Sequence, residues 1–383
     1  MLMLAVLVHV YATTHSASMA TVAFLVEMAP VVLVSPFAGL LADRIDRRRL
    51  VVGADLLRAL ILIPLACNAS LPVLLSTLAV QAAIDAVFRP AFGAMLPGRV
   101  GPANTAAANG LMNTTFASLG LFAPALGAAI YASQGLRMLV IIDIVSFLLG
   151  AAMTATLGSE VREARVLGPS TSSFEAMRLD LRVGISAIAR SPLLRIVILA
   201  ECTLSLTEGI LKPIFVPFIF GTLHGDPSRV GLAATSQAIG GVVAGLLVAA
   251  LAHRMRPSRM AVIGLQGFAL TVTAMALAPT YAFALLVMLL MGLPGTFSMV
   301  GLDSSVQLHA DPSVMGRVFG AKATVTSMCV LVATLIPATL TSWLGVRGVI
   351  GVAAGILVLT ALILVRGERT QAAAQPTLIG ALD

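Results

Sequence analysis

Nine ionisable side chains stand inside long apolar runs of this chain: Glu27, Asp55, Arg58, Asp85, Arg89, Asp143, Glu201, Glu208 and Lys212. Charge in apolar surroundings is costly and persists where it pairs, carries protons or faces a polar path. Three acid–base pairs fall at helical spacing, Asp55/Arg58, Asp85/Arg89 and Glu208/Lys212. Gln81, Asp85 and Arg89 share one helical face, as do Glu201, Ser205, Glu208 and Lys212. Glu27 and Glu201 have no base three or four positions away, and a desolvated carboxylate without a local cation takes up a proton. Glu27, Glu201, Asp85 and Glu208 are therefore the candidates for proton coupling. Gln81, Arg89, Ser205 and Lys212 are candidates to line a cavity. The Asp55/Arg58 pair suits a helix lock as well as a functional role, and Asp143 reads as structural.

The elements that must position these groups follow from composition. The 383 residues are 58% hydrophobic and 11% charged, with a mean hydropathy of +1.01. Soluble domains carry about a quarter charged residues, so the solvent for most of this chain is lipid. A helix needs about 20 apolar residues to cross the hydrocarbon layer. Runs that meet this requirement are expected near 19–41, 50–68, 73–96, 107–130, 137–157, 193–220, 230–252, 260–278, 280–302, 317–341 and 348–365. A shorter apolar piece, "MLMLAVLVHVY", precedes them. The expected fold is an all-α polytopic membrane protein. Its domains are a six-helix bundle over 1–157, a cytoplasmic linker over 158–192, and a second bundle with a short tail over 193–383. In the linker, Phe174, Met177, Leu181, Ile185 and Ile188 recur at helical spacing between charges, the pattern of a surface helix.

The net charge of +7 does not indicate nucleic acid, because the basic residues are dispersed over short loops. They are also asymmetric. With the 42–49 turn on the cytoplasmic side, 18 of the 24 Lys and Arg residues fall in cytoplasmic segments, counting Arg317 and Lys322 in a 303–322 turn. Basic loops stay in the cytoplasm, which places the C-terminus there too. Cys67, Cys202 and Cys329 stand apart in apolar runs and read as small core residues. No metal or nucleotide signature appears, and no cofactor is expected.

A shift of 210 positions brings separated segments into coincidence. "LADRIDRRRLVV" at 41–52 falls on "LAHRMRPSRMAV" at 251–262, Pro102 on Pro312, and "GLR" at 135–137 on "GVR" at 345–347. The chain reads as two six-span halves of the same orientation. By this offset the counterpart of the span starting near Leu193 would begin about eighteen residues before Met1. The first helix is thus expected to lack its cytoplasmic half, through a miscalled start codon or a true truncation.

The turn Gly39–Arg48, "GLLADRIDRR", resembles the loop between the second and third helices of the major facilitator superfamily, with Asp46 at a position usually held by Gly. With "ADLLRAL" (54–60) and "GRVFG" (316–320), it is similar to the branch of enterobactin-exporter-like and macrolide-efflux-like transporters. The resemblance covers the whole chain except the missing start. It implies two pseudo-symmetric six-helix bundles and a gate at Gly39, Asp43, Arg44, Arg47 and Arg48. Asp43 would face the N-terminus of the span near Arg317, where a helix dipole favours an anion. "FAPALGAA" keeps Pro124 and Gly127 of an export-type packing element but has Ala123 and Ala128 in its flanking glycine positions.

These readings together imply a proton-coupled exporter of a small, largely apolar molecule, not an enzyme, working by alternating access in the cell membrane. The expected partners are the substrate, protons and the lipid bilayer, with the chain acting as a monomer. A metabolite facilitator or importer, a non-transporting membrane sensor, and a truncated, inactive remnant remain open at this point.

Overall fold

A computed structural model of the chain describes residues 2–44, 46–100, 105–157, 173–251, 254–311 and 314–374. Its elements are α1 (Leu2–Thr14), α2 (Ala17–Arg44), α3 (Arg47–Cys67), α4 (Leu71–Val100), α5 (Thr105–Thr156), α6 (Ser173–Arg190), α7 (Pro192–Pro217), α8 (Pro227–Leu251), α9 (Pro257–Ala276), α10 (Tyr281–His309) and α11 (Met315–Ala374), with a π turn at Phe218–Thr222 after α7. No strand occurs among the described residues. Lipid offers no hydrogen bonds, so spanning segments must satisfy their backbone internally, and helices do this.

Eight of the described helical segments are long and apolar enough to cross a membrane. Two are about twice the required length: Ser118–Thr156 with 39 residues and Met315–Ile363 with 49. Each is broken at a glycine of positive φ, Gly135 (φ 74°, ψ −177°) and Gly345 (φ 66°, ψ 172°). These backbone angles are essentially confined to glycine. Each glycine ends one pass and starts the next, so α5 and α11 are both two spans. The two glycines occupy the same place in the 210-residue repeat. α7 has 26 residues and carries Arg195, Glu201, Glu208 and Lys212; with part of α6, from which it bends by 110°, it forms a further candidate span. α1 has 13 residues, about 20 Å at 1.5 Å per residue, and its Leu2, Ala5, Val6, Leu7, Val8 and Val10 are buried.

The chain forms two compact units, one of residues 1–175 and 213–235, the other of 176–212 and 236–383. In the first, α2 packs on α4, α3 on α4 and α5, and α1 on α5 and α2. In the second, α9 packs on α10 and α11. Close approach there depends on residues without side chains. A Cβ on Gly292 of α10 would lie 2.6 Å from the Gly240 carbonyl carbon of α8, and one on Gly301 would lie 2.8 Å from Ala261 Cα of α9. Small residues replace hydrophobic burial as the means of helix association in lipid, since lipid tails are as apolar as leucine. Hydroxyls in the spans bond back to their own helix, as in Thr207 to Thr203 O at 2.9 Å and Ser305 to Gly301 O at 2.7 Å. A polar side chain in an apolar surrounding needs such a partner.

Candidate functional site

Helix ends in the first unit are fixed by the residues of the charged turn. The Asp46 carboxylate accepts from Arg49 N at 2.9 Å and caps α3. This gives a physical reason for an acid where the resemblance would place glycine. Arg48 donates through Nε to Thr154 O at 3.4 Å and through Nη2 to Ala155 O, placing a cation at the C-terminus of α5 where the helix dipole favours it. In the second unit Arg347 makes the comparable contact, donating to Ala278 O at 2.7 Å beyond the end of α9. Gly39, Asp43 and Arg44 lie on the last turns of α2 and Arg47 opens α3. The side chains at these positions, and that of Arg89 on α4, fall outside the described residues.

The first unit holds an ion cluster centred on Arg58. Arg58 Nη1 meets Asp55 Oδ1 at 2.9 Å, one turn away on α3, and Nη2 meets Asp85 of α4. Its guanidinium lies 3.9 Å from the Phe88 ring centroid and 5.3 Å from that of Phe147. The Asp55 and Arg58 side chains are 8% and 5% exposed, that of Asp85 39%. Sequence spacing brings Asp55 to Arg58 and the structure does the same. Asp85, expected to pair with Arg89, meets Arg58 of the neighbouring helix.

The second unit holds a different cluster. Lys322 of α11 meets Glu201 Oε1 of α7 at 2.7 Å and Asp303 of α10, and lies 5.2 Å from the Phe319 ring centroid. Glu201 and Lys322 side chains are 9% and 15% exposed. Glu201 Oε2 is buried without a hydrogen-bond partner among the described residues. Sequence spacing offers Glu201 no base, and the structure supplies one from another helix. The 303–322 turn expected from the sequence takes in Asp303 and overlaps the 317–341 run at Lys322, whereas α10 runs to His309 and α11 starts at Met315, so both residues lie within helices. The signal that could have found them is the helical periodicity of "GLDSSVQLH" and of the run after Gly316. The Glu208–Lys212 pair forms as its spacing implies, with side chains about half exposed, and Ser205 between Glu201 and Glu208 is partly buried. Cys202 of α7 and Cys329 of α11, far apart in sequence, are neighbours, and all three cysteines are free.

Glu27 lies mid-way along α2 and is partly buried, with an electrostatic or hydrogen-bonding partner of its own. Gln81 is partly buried on α4. Pro124 and Ala128 face the start of α8: a Cβ on Gly231 would lie 2.8 Å from Pro124 O and 3.4 Å from Ala125 Cα. Gly127 is buried beside them. In the same unit Tyr11 stands edge-on to Phe220 of the π turn, with ring centroids 5.8 Å apart. His9 bonds Tyr131 at 3.1 Å.

The comparisons agree with this architecture. The family model described as Major Facilitator Superfamily matches residues 1–204 and 197–381. Macrolide efflux protein A of Streptococcus pyogenes is 23% identical over 356 residues, covering 90% of this chain and 86% of that protein. The uncharacterised MFS-type transporter YfiS of Bacillus subtilis strain 168 is 25% identical over 349 residues, covering 89% and 82%. Among solved structures, a POT family transporter in complex with a thioalcohol-conjugated peptide superposes with a TM-score of 0.74 at 12% identity, covering 96% of this chain and 92% of that one. With matches that span both halves, this multi-pass membrane protein belongs to the Major Facilitator Superfamily of transporters.

Proposed function

We propose that the chain is a secondary active exporter of a small, largely apolar molecule, driven by protons moving the other way. The observation that carries this reading is the pair of ion clusters inside apolar helices, each holding one cation against two carboxylates. Charge of this kind is retained in membranes for coupling and for solute paths. The direction, export, is supported by the similarity to macrolide efflux protein A along nine-tenths of the chain. Glu201, Asp85, Glu27 and Glu208 are the acids available to carry protons. Gln81, Arg89, Ser205 and Lys212 are the polar groups available to a solute. Asp43, Arg44, Arg47 and Arg48 form the gate at the α2–α3 turn, on the cytoplasmic side with the C-terminus, while Gly39 allows close helix approach. Pro124 and Gly127 keep α5 closely packed. The chain works in the cell membrane as a monomer.

The test is accumulation of erythromycin and a panel of other lipophilic compounds in a host deleted for its own exporters. Expression should lower accumulation, and a protonophore should restore it. In everted vesicles an imposed pH gradient should drive uptake. If no compound in the panel is moved, or if movement ignores the gradient, the proton-driven export reading fails.

A further inference from the structure

The two clusters have the same count of charges but different chemistry. Arg58 is a guanidinium clamped by two carboxylates and lying against two aromatic rings. Arginine does not lose its proton in proteins, and its planar fork holds a fixed geometry. This cluster too carries one negative charge in excess, but Asp85 is 39% exposed and keeps its charge hydrated, and the buried atom left over is Arg58 Nε, a donor that has no room for a further proton. The first-unit cluster is a brace.

At the second cluster the atom left over is an acceptor. Glu201 spends Oε1 on Lys322, while Oε2 is buried without a hydrogen-bond partner among the described residues. Glu201 and Asp303 face a single ammonium, so with all three ionised the cluster carries one negative charge in excess. An unbalanced charge at 9% exposure is strongly disfavoured. The charged groups acting on Glu201 are Lys322 of α11 and Asp303 of α10. Cys202, next to Glu201 on α7, faces Cys329 of α11. Arg317 of α11 is held at 2.8 Å by Asp180 of α6. α9 adds one charged residue, Arg259 in its first turn, and His309 of α10 is bonded to Ser305 O. None of these neutralises the excess.

Building on the proton-coupled reading above, we propose that Glu201 Oε2 is the proton-binding atom of this transporter, with Lys322 as the resident counter-cation that Glu201 and Asp303 share. The proton leaves a hydronium ion or buffer acid and forms an O–H bond at Oε2, with no change of oxidation state. The result is a neutral carboxyl group beside a balanced Lys322–Asp303 pair. Protonation therefore cuts the ionic tie between α7 and α11 and leaves the tie between α10 and α11. The geometry makes one proton the capacity of the site.

Two measurements on the purified full chain test this without any substrate. Infrared difference spectra between alkaline and acid pH should show a protonated-carboxyl band. That band should shift when glutamate is carboxyl-labelled with ¹³C and stay when aspartate is labelled. It should vanish in Glu201→Gln and persist in Glu27→Gln and Glu208→Gln. The native thiols report the helix tie: in a Cys67→Ser background, copper-phenanthroline should cross-link Cys202 to Cys329 several-fold more slowly in Glu201→Gln than in the parent at the same pH. A band that follows aspartate labelling, or survives Glu201→Gln, overturns the assignment. An unchanged cross-linking rate overturns the release of α7. The wild-type labelling arm decides the assignment even where Glu201→Gln does not fold. A chain that shows the glutamate band and moves no compound refutes export alone.

Discussion

Replacing Arg58 with methionine removes a cation of similar length from the best-buried ion pair of the first unit. Asp55 and Arg58 are 8% and 5% exposed and 2.9 Å apart. At that separation and an effective dielectric of about 20, the raw attraction is about 6 kcal/mol. Much of this is offset by the cost of dehydrating the two ions, so the net value of the intact pair is small. Its deletion is different, because Asp55 then stays buried without its counter-ion, at a cost of about 3–5 kcal/mol. The lost contact of the guanidinium with Phe88, at 3.9 Å, adds about 0.5–2 kcal/mol. For a unit of this size, about 2–4 °C is lost per kcal/mol, so Arg58→Met should lower the unfolding temperature in detergent by about 7–28 °C. The double variant Arg58→Met/Asp55→Leu removes both charges and should recover most of that loss. Asp85 is 39% exposed and tolerates the change better. The assay is thermal unfolding followed by the loss of helical circular dichroism. If Arg58→Met melts with the wild type, or the double variant melts no higher than the single one, the brace assigned to this cluster is wrong.

Backbone conformation gives a test with opposite signs. Gly135→Ala and Gly345→Ala each place a side chain in a glycine-only region and should destabilise by about 1–3 kcal/mol, although neither added Cβ meets an atom within 4 Å. Gly351→Ala, equally open but helical, should be neutral or stabilising by up to about 1 kcal/mol; equal effects at all three would refute the argument. Gly292→Ala brings a Cβ to 2.6 Å from the α8 backbone, whereas Gly241→Ala meets only Thr296 Oγ1 at 3.7 Å, so only the first should reduce the yield of monodisperse protein in detergent. Asp180→Asn breaks a pair with Arg317 whose side chains are about half exposed; it should cost less than about 1 kcal/mol, visible as a melting shift of a few degrees at most.

The repeat was legible in residues before it was visible in space. Gly135 and Gly345 were matched by sequence position alone, and both prove to be breaks of the same hand and nearly the same angles. The reason is local: a chain that must turn sharply between two membrane passes needs a residue without a Cβ, and glycine leaves that mark in the sequence. The ion clusters carry no such repeat signature. Asp55, Arg58 and Asp85 correspond by the 210-residue shift to Leu265, Phe268 and Gly295, while Asp303 and Lys322 correspond to Gly93 and Met112. Each half built its own cluster on a shared scaffold.

By itself the sequence determined that the chain is built of apolar helices long enough to span a membrane, and two of the acid–base pairs that form within one helix. Hydropathy over about 20 residues and a period of 3.6 are local properties, readable without knowing what lies alongside. Asp55 with Arg58 and Glu208 with Lys212 were decided at that level. Only the tertiary structure decided that Glu201 has a cation, that this cation is Lys322, 121 positions away, and that Asp303 competes for it. Such pairings depend on how deeply one helix sinks against another. In lipid that depth is set by side chains that are absent, at Gly209 against Ala333 and Gly292 against Gly240, because apolar surface attracts lipid as readily as it attracts another helix.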